Sequence, residues 1–205
     1  MIQKKNKSKK GPQWADHLTH KAKAENYPAR SVYKLMEIQK KFKVLKNGDT
    51  VLDLGCAPGS WLIYVAKTVG NAGSAHGIDL KAVEVALPEN AVAHVGDIFD
   101  MDENITAPEG KKYNAVLSDM APATTGRKDI DAARSQGLCE AALAKALELL
   151  DPGGHFVCKI FQGGDFKVFE KEVQQHFKQH KIFKPESCRK SSKEIYIIGL
   201  NKNNS

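Results

Sequence analysis

Lysine is unusual inside an apolar strand, yet Lys159 stands in one, beside Val157, Cys158 and Ile160. A cation in such a place points to chemistry more than to packing. Three acids, Asp79, Asp97 and Asp119, end three other predicted strands. Each acid taken singly also suits a turn or a helix cap. Taken together, four charges in one structural role mark the carboxyl edge of a parallel sheet, where ligands of open α/β sheets bind.

A glycine-punctuated stretch precedes them: Val51-Leu52-Asp53-Leu54-Gly55-Cys56-Ala57-Pro58-Gly59-Ser60-Trp61. It reads as a buried strand carrying one acid, a turn at Gly55 and Gly59, and a helix over 61–69. Strand, glycine loop and helix N-terminus make a ligand-binding unit of the nucleotide-fold kind. The spacing is D-x-G-x-x-P-G, without the G-x-G-x-x-G of a dinucleotide pyrophosphate cradle. Asp79 follows Gly55 by 24 residues and is placed to hold a ribose diol. S-adenosylmethionine fits these features: it has ribose and adenine, no phosphate, and a cationic sulfonium suited to an acidic pocket. A nicotinamide-dependent dehydrogenase would explain the fold, but neither the glycine spacing nor the charge distribution.

The elements that must position these groups alternate along the chain. Strands are expected over 51–54, 73–79, 91–95, 113–118 and 154–160, with two more near 182–188 and 195–200. Helices are expected over about 29–42, 61–69, 135–150 and 165–180. The alternation predicts an α/β, Rossmann-like fold, and the glycine motif with its cofactor reading makes it one of the S-adenosylmethionine-dependent methyltransferase type. Its sheet is seven-stranded and mostly parallel, with an antiparallel edge strand and helices on both faces. One domain over 13–205 is expected behind a flexible basic arm, 1–12, with the basic helical segment reaching to about 46.

The net charge of +7 over 205 residues hides a division. Residues 1–46 hold 13 Lys+Arg against 3 Asp+Glu, residues 47–158 hold 8 against 16, and residues 159–205 hold 10 against 5. An acidic middle between basic ends suggests a polyanion held by the ends and presented to a site built by the middle; the lysines of the arm also read as a solubilising tail. No apolar run approaches the roughly 18 residues that span a bilayer, and the lysine-rich start is no signal peptide. Four scattered cysteines without a C-x-x-C pair suit reduced thiols and a cytoplasmic location. His17 and His20 have ligand-like spacing but no partner ligands, so no metal site is expected.

Three motifs together resemble the FtsJ/RrmJ family of RNA 2′-O-ribose methyltransferases: the stretch 53–61, Ser118-Asp119-Met120-Ala121-Pro122, and Arg30-Ser31-Val32-Tyr33-Lys34-Leu35. Lys159 and Ser192-Lys193-Glu194 add to the likeness, which runs from about residue 27 to 200. The resemblance implies a catalytic set of Lys34, Asp119, Lys159 and Glu194. It implies cofactor contacts at Gly55, Gly59, Trp61, Asp79, Asp97 and Asp119, with Asp79 on the ribose hydroxyls and Asp97 on the adenine amino group. Lys159 would be the base or orienting group for the 2′-oxygen, Lys34 and Asp119 would fix its geometry, and Glu194 would steer the substrate or Lys34. Cys56, Ser60 and Ala123 depart from the family pattern, where alanine, glycine and asparagine are common.

The compact chain resembles the bacterial-type enzyme acting on a uridine of 23S rRNA in the large ribosomal subunit, which implies RNA as partner, no membrane, and a monomer. The basic helix would bind phosphates, and 124–134 would be a loop touching RNA. tRNA or cap RNA as substrate, or a non-catalytic RNA-binding module on the same scaffold, are the competing readings.

Overall fold

The computed structural model describes residues 13–100, 112–122, 125–163, 166–189 and 191–204. The expected arm 1–12, and Ala123 and Thr124, lie outside them. The described elements run α1 (Gln13–Ala24), α2 (Val32–Phe42), β1 (Thr50–Leu54), α3 (Ser60–Val69), β2 (Ser74–Asp79), β3 (Ala91–Val95), β4 (Tyr113–Ser118), α4 (Lys128–Leu149), β5 (Leu150–Phe161), α5 (Phe166–His176), β6 (Phe177–Phe183) and β7 (Glu194–Lys202).

All seven strands join one sheet in the order β3-β2-β1-β4-β5-β7-β6. β1 to β5 pair in parallel, and β7 runs antiparallel to both β5 and β6. The antiparallel strand expected at the edge therefore lies one place in, and β6 is outermost. The cause is connectivity: the β5–α5–β6 crossover leaves a one-strand gap, and β7 returns through it.

Side chains alternate across the sheet. Val51, Leu117, Val157, Tyr196 and Ile198 join Leu35 and Ile38 of α2 and Trp61 and Val65 of α3 in one apolar layer. Leu52, Ile78, Phe156, Ile160 and Ile197 join Leu143 of α4 and Phe169 of α5 in the other. Strand addition reverses between β1 and β4, so the carboxyl ends of β1, β2 and β4 open around a topological switch point.

Several boundaries differ from expectation for reasons of tertiary contact. α1 was not anticipated; its fully buried Ala22 packs with Tyr27, Val32, Tyr33 and Ile63, too few apolar positions for a visible helical stripe. α2 begins at Val32 rather than near 29, because the approaching chain is held by α3: the Ala29 N–H donates to Ser60 Oγ at 2.7 Å. α4 starts seven residues earlier than expected, so 128–134 is helix and not loop. The turn before it is stitched by Asp131, whose carboxylate accepts from the Thr125 and Gly126 N–H groups and stays below the usual carboxylate range. α5 stops at His176, since 177–183 pairs with β7, for example Gln179 with Leu200. The polar surface of that edge strand hid it within an apparently longer helix. No helix among the described residues is long and apolar enough to cross a membrane.

Candidate active site

Sheet register assembles one charged cluster from four distant parts of the chain. β5 and β7 pair Lys159 with Tyr196 and Phe161 with Glu194, so Lys159, Tyr196 and Glu194 project from one face. β4 and β5 pair Ser118 with Cys158, which brings the next residues, Asp119 and Lys159, side by side. α2 lies on the same face, anchored by Leu35 and Ile38, and delivers Lys34.

Asp119 is the hub. Its Oδ1 accepts the Tyr196 hydroxyl at 2.5 Å and lies 3.1 Å from Lys159 Nζ and 3.8 Å from Lys34 Nζ. Lys159 Nζ also donates to the Asp119 backbone carbonyl. Lys34 Nζ donates to Glu194 Oε2 at 3.0 Å. Both lysines are buried, at 9% and 7% exposure, so neither is a solvated surface charge. Two cations and two carboxylates balance here, which makes the burial tolerable. Burial pulls the Lys34 pKa down, but Asp119 and Glu194 outweigh it and hold the ammonium above its ordinary range. Burial, Asp119 and the hydrogen bond to it push the Tyr196 phenol far up, so it stays a donor. Burial and the negative charge of Glu194 push the Cys188 thiol up to about 12.

Beside the cluster a cavity of about 520 Å³ opens over the ends of β1, β2, β3 and β4. Gly55, Asp79, Asp97 and Asp119 line it, with Ile78, Leu80, Phe99 and Met120 as apolar walls. Asp79 accepts the Ala57 and Lys81 N–H groups, and Asp97 accepts the Phe99 N–H. Both acids thus hold turns, and a carboxylate offers about four acceptor positions, which leaves capacity for a ligand. Gly55 has φ +80°, and a Cβ there would meet Met120 Cγ at 2.4 Å, so only glycine lets the loops close this corner.

Gly59 and Trp61 do not line the cavity. Val83 and Val85 lie over Gly59, whose φ of +104° turns the chain into α3. Trp61 is buried, and its indole donates to the Ser31 carbonyl at 2.9 Å, fastening α2 to α3. Below the loop, Asp53 is buried at 1% exposure and neither carboxylate oxygen has a hydrogen-bond partner. Burial, together with the charges of Asp119 and Asp79, raises its pKa well above the ordinary value. Three acids and one uncompensated buried acid around an apolar-walled cavity suit a cationic ligand with a flat apolar part. His17 and His20 are exposed, and among the described residues no three potential metal ligands gather.

The profile of the FtsJ-like methyltransferases matches residues 27–202. The chain belongs to the FtsJ-like methyltransferase family. It is 69% identical over 190 residues to the ribosomal RNA large subunit methyltransferase E of Desulforapulum autotrophicum, covering 93% of this chain and 94% of that one. It is 56% identical to the protein of the same name from Desulfosudis oleivorans, covering 96% and 95%. A crystal structure from Plasmodium falciparum, described as a ribosomal RNA methyltransferase, superposes with a TM-score of 0.77 at 26% identity, covering 87% of this chain and all of that one.

Within this FtsJ-like site, the four residues of the expected catalytic set meet in space, and Asp119 joins them to the cavity. Tyr196, Cys188 and the orphaned state of Asp53 were not anticipated. Tyr196 has a visible signal, as it follows Glu194 by two and is the one polar-tipped side chain among Ile195, Ile197 and Ile198. Cys188 had none, because its neighbour Glu194 approaches only through the fold.

Proposed function

We propose that this chain methylates a ribose 2′-hydroxyl in RNA with S-adenosylmethionine, acting in the cytoplasm on a uridine of 23S rRNA in the large ribosomal subunit. The cofactor fits the residues present. Asp79 and Asp97 would hold its ribose and adenine, Ile78 and Phe99 would flank the ring, and the three acids lining the cavity, Asp79, Asp97 and Asp119, favour its positive charge. When bound, it supplies an electrophilic methyl group on a sulfonium sulfur. Gly59 would act by turning the loop and Trp61 by fastening α2, with any contact at either made through backbone.

The observation that carries the reading is the tethering of Lys159. Its Nζ is held twice by Asp119: it donates to the backbone carbonyl and forms an ion pair with Oδ1 at 3.1 Å. Both partners lie on the Asp119 side, so an ammonium keeps an N–H for the 2′-oxygen, and the free amine would keep its lone pair for the hydroxyl proton. As the ammonium of the balanced cluster Lys159 orients the oxygen within about 3–3.5 Å of the reacting carbon; once deprotonated it is the base that takes the hydroxyl proton. Asp119 fixes Lys159, Tyr196 fixes Asp119, and Glu194 fixes Lys34 on the substrate side of the cluster.

The substrate is supported by the relatives named ribosomal RNA large subunit methyltransferase E and by the basic segment up to residue 46. Incubation with methyl-labelled cofactor and either large subunits, free rRNA or tRNA tests the reading. Label is expected at one uridine, as a 2′-O-methyl group that resists alkaline cleavage. Label on a base, or on tRNA alone, would overturn it.

A further inference from the structure

A second cavity, of about 460 Å³, lies between α1, α2 and the 186–187 turn, and shares no residue with the first. Tyr33, Met36, Glu37 and Lys40 contribute from one stripe of α2, at helical spacing. Lys34, one residue on, faces the catalytic cluster instead. The opposite wall also leads toward the cluster: Ser187 precedes the buried Cys188, whose thiol feels the Glu194 carboxylate. Whatever occupies this cavity sits beside the cluster, separated by the width of α2, about 10–12 Å with its side chains.

The chemistry of the wall is specific. Leu18, Met36 and the Tyr33 ring form an apolar surface, and the exposed Lys21 and Lys40 supply cations to it. Two acids line the cavity as well: Glu37 faces the turn, its oxygens accepting the Glu186 and Ser187 N–H groups at 2.6 and 2.9 Å, and the Glu186 side chain is exposed. Lys21 meets Glu25 at 3.8 Å with both side chains about half exposed, a contact weak enough to exchange. Ser187 is 6% exposed, and its buried hydroxyl has no hydrogen-bond partner. A wall polar group without a partner, an apolar face and two cations match an unstacked base with its phosphate.

We infer that this cavity holds a nucleotide of the RNA substrate close to the one methylated. Its base lies against Tyr33 and Met36, its phosphate lies between Lys21 and Lys40, and the Ser187 hydroxyl bonds to a polar edge. The inference rests on RNA being the substrate. A segment of ribosomal protein would meet the same apolar wall but brings no phosphate to the two lysines.

All four native cysteines are buried, so Met36→Cys introduces an accessible thiol for a short photoreactive azide. The labelled full-length enzyme is bound, with S-adenosylmethionine, to whichever RNA substrate the parent methylates, and is then illuminated. A cross-link to a nucleotide within a few positions of the methylated one is expected. In parallel, Ser187→Ala is expected to raise KM for that substrate roughly fivefold, the worth of one hydrogen bond, with cofactor affinity by calorimetry unchanged. A cross-link to a ribosomal protein, to a remote nucleotide or to nothing overturns the inference, as does an unchanged KM. If the labelled variant does not fold, Lys40→Glu carries the binding test, and must lower the slope of log affinity against log salt by about 1. A parent that methylates no RNA removes the substrate reading and this inference together, whereas a methylating parent with unaffected variants removes the inference alone.

Discussion

Asp53 and Asp119 project from the same face of neighbouring strands, yet they live under opposite conditions. Asp119 gathers a phenol and two ammonium groups around one oxygen. Asp53, on the strand beside it, has no partner on either oxygen and is more deeply buried. The catalytic half of the site is electrically complete as it stands, while the cofactor half carries an excess of negative charge. A complete cluster can fix geometry before substrate arrives. An incomplete one gains by binding a cation, as the proposed cofactor would supply.

Breaking the complete half should have the larger effect. Lys159→Ala removes the group that faces the 2′-oxygen, and kcat should fall by roughly 10²–10⁴-fold while calorimetry finds cofactor binding intact. Near-normal single-turnover rates with bound cofactor would sink the assignment. Tyr196→Phe is gentler, since it removes one donor from Asp119 and keeps the ring against Trp61. A hydrogen bond to a charged group is worth about 1.5–3 kcal/mol, so urea unfolding should report a loss in that range, and kcat should drop about tenfold as Asp119 loosens its hold on Lys159. If stability falls but kcat does not, Tyr196 supports the fold alone.

The same contrast explains what could be read from the sequence. The cofactor half is local: Gly55, Asp79 and Asp97 each sit at or just past a strand end, and strand-end geometry alone puts them on one edge. The catalytic half is assembled by register. Nothing near Lys34 in sequence says that it will be buried; it is carried inward by Leu35 and Ile38 and met by Glu194, 160 residues away. Family resemblance named Lys34 and Glu194 where residue chemistry could not, and it left out Tyr196. Trp61 adds a role its motif position does not reveal: its side chain fastens α2 to α3. The sheet was legible except at its far edge, where the polar strand 177–183 continues the period of α5 and only pairing with β7 decides its state.

The incomplete half makes its own prediction about pH. The Asp53 carboxyl has a higher pKa in the folded chain than the ordinary 3.8, so the folded state keeps a proton that the unfolded state has lost. Stability is therefore full below about pH 4 and is lost as pH rises toward the folded pKa, at up to about 1.4 kcal/mol per pH unit. Asp53→Asn removes the titration. Urea denaturation from pH 4 to 7 should show a decline attributable to this residue in the parent and a flatter profile in the variant, which should be more stable by about 1–3 kcal/mol at pH 7. Parallel profiles would mean that Asp53 is compensated after all, and the contrast between the two acids would disappear.

The two halves are joined by α2. At the joint Ser60 accepts the Ala29 N–H at 2.7 Å, next to the bond from the Trp61 indole to Ser31. Both bonds run from the first turn of α3, directly after the cofactor loop, to the segment that leads into Lys34. Ser60→Gly removes the hydroxyl and with it one bond, leaving a half-buried N–H to find water. The cost should be about 0.5–1.5 kcal/mol in urea unfolding, the smallest of these effects. Because the Trp61 bond still holds α2, kcat should stay within about twofold of the parent. A loss of kcat comparable to that of Tyr196→Phe would instead make Ser60 part of the apparatus that sets Lys34, and the division between a cofactor half and a catalytic half would have to be redrawn along α2.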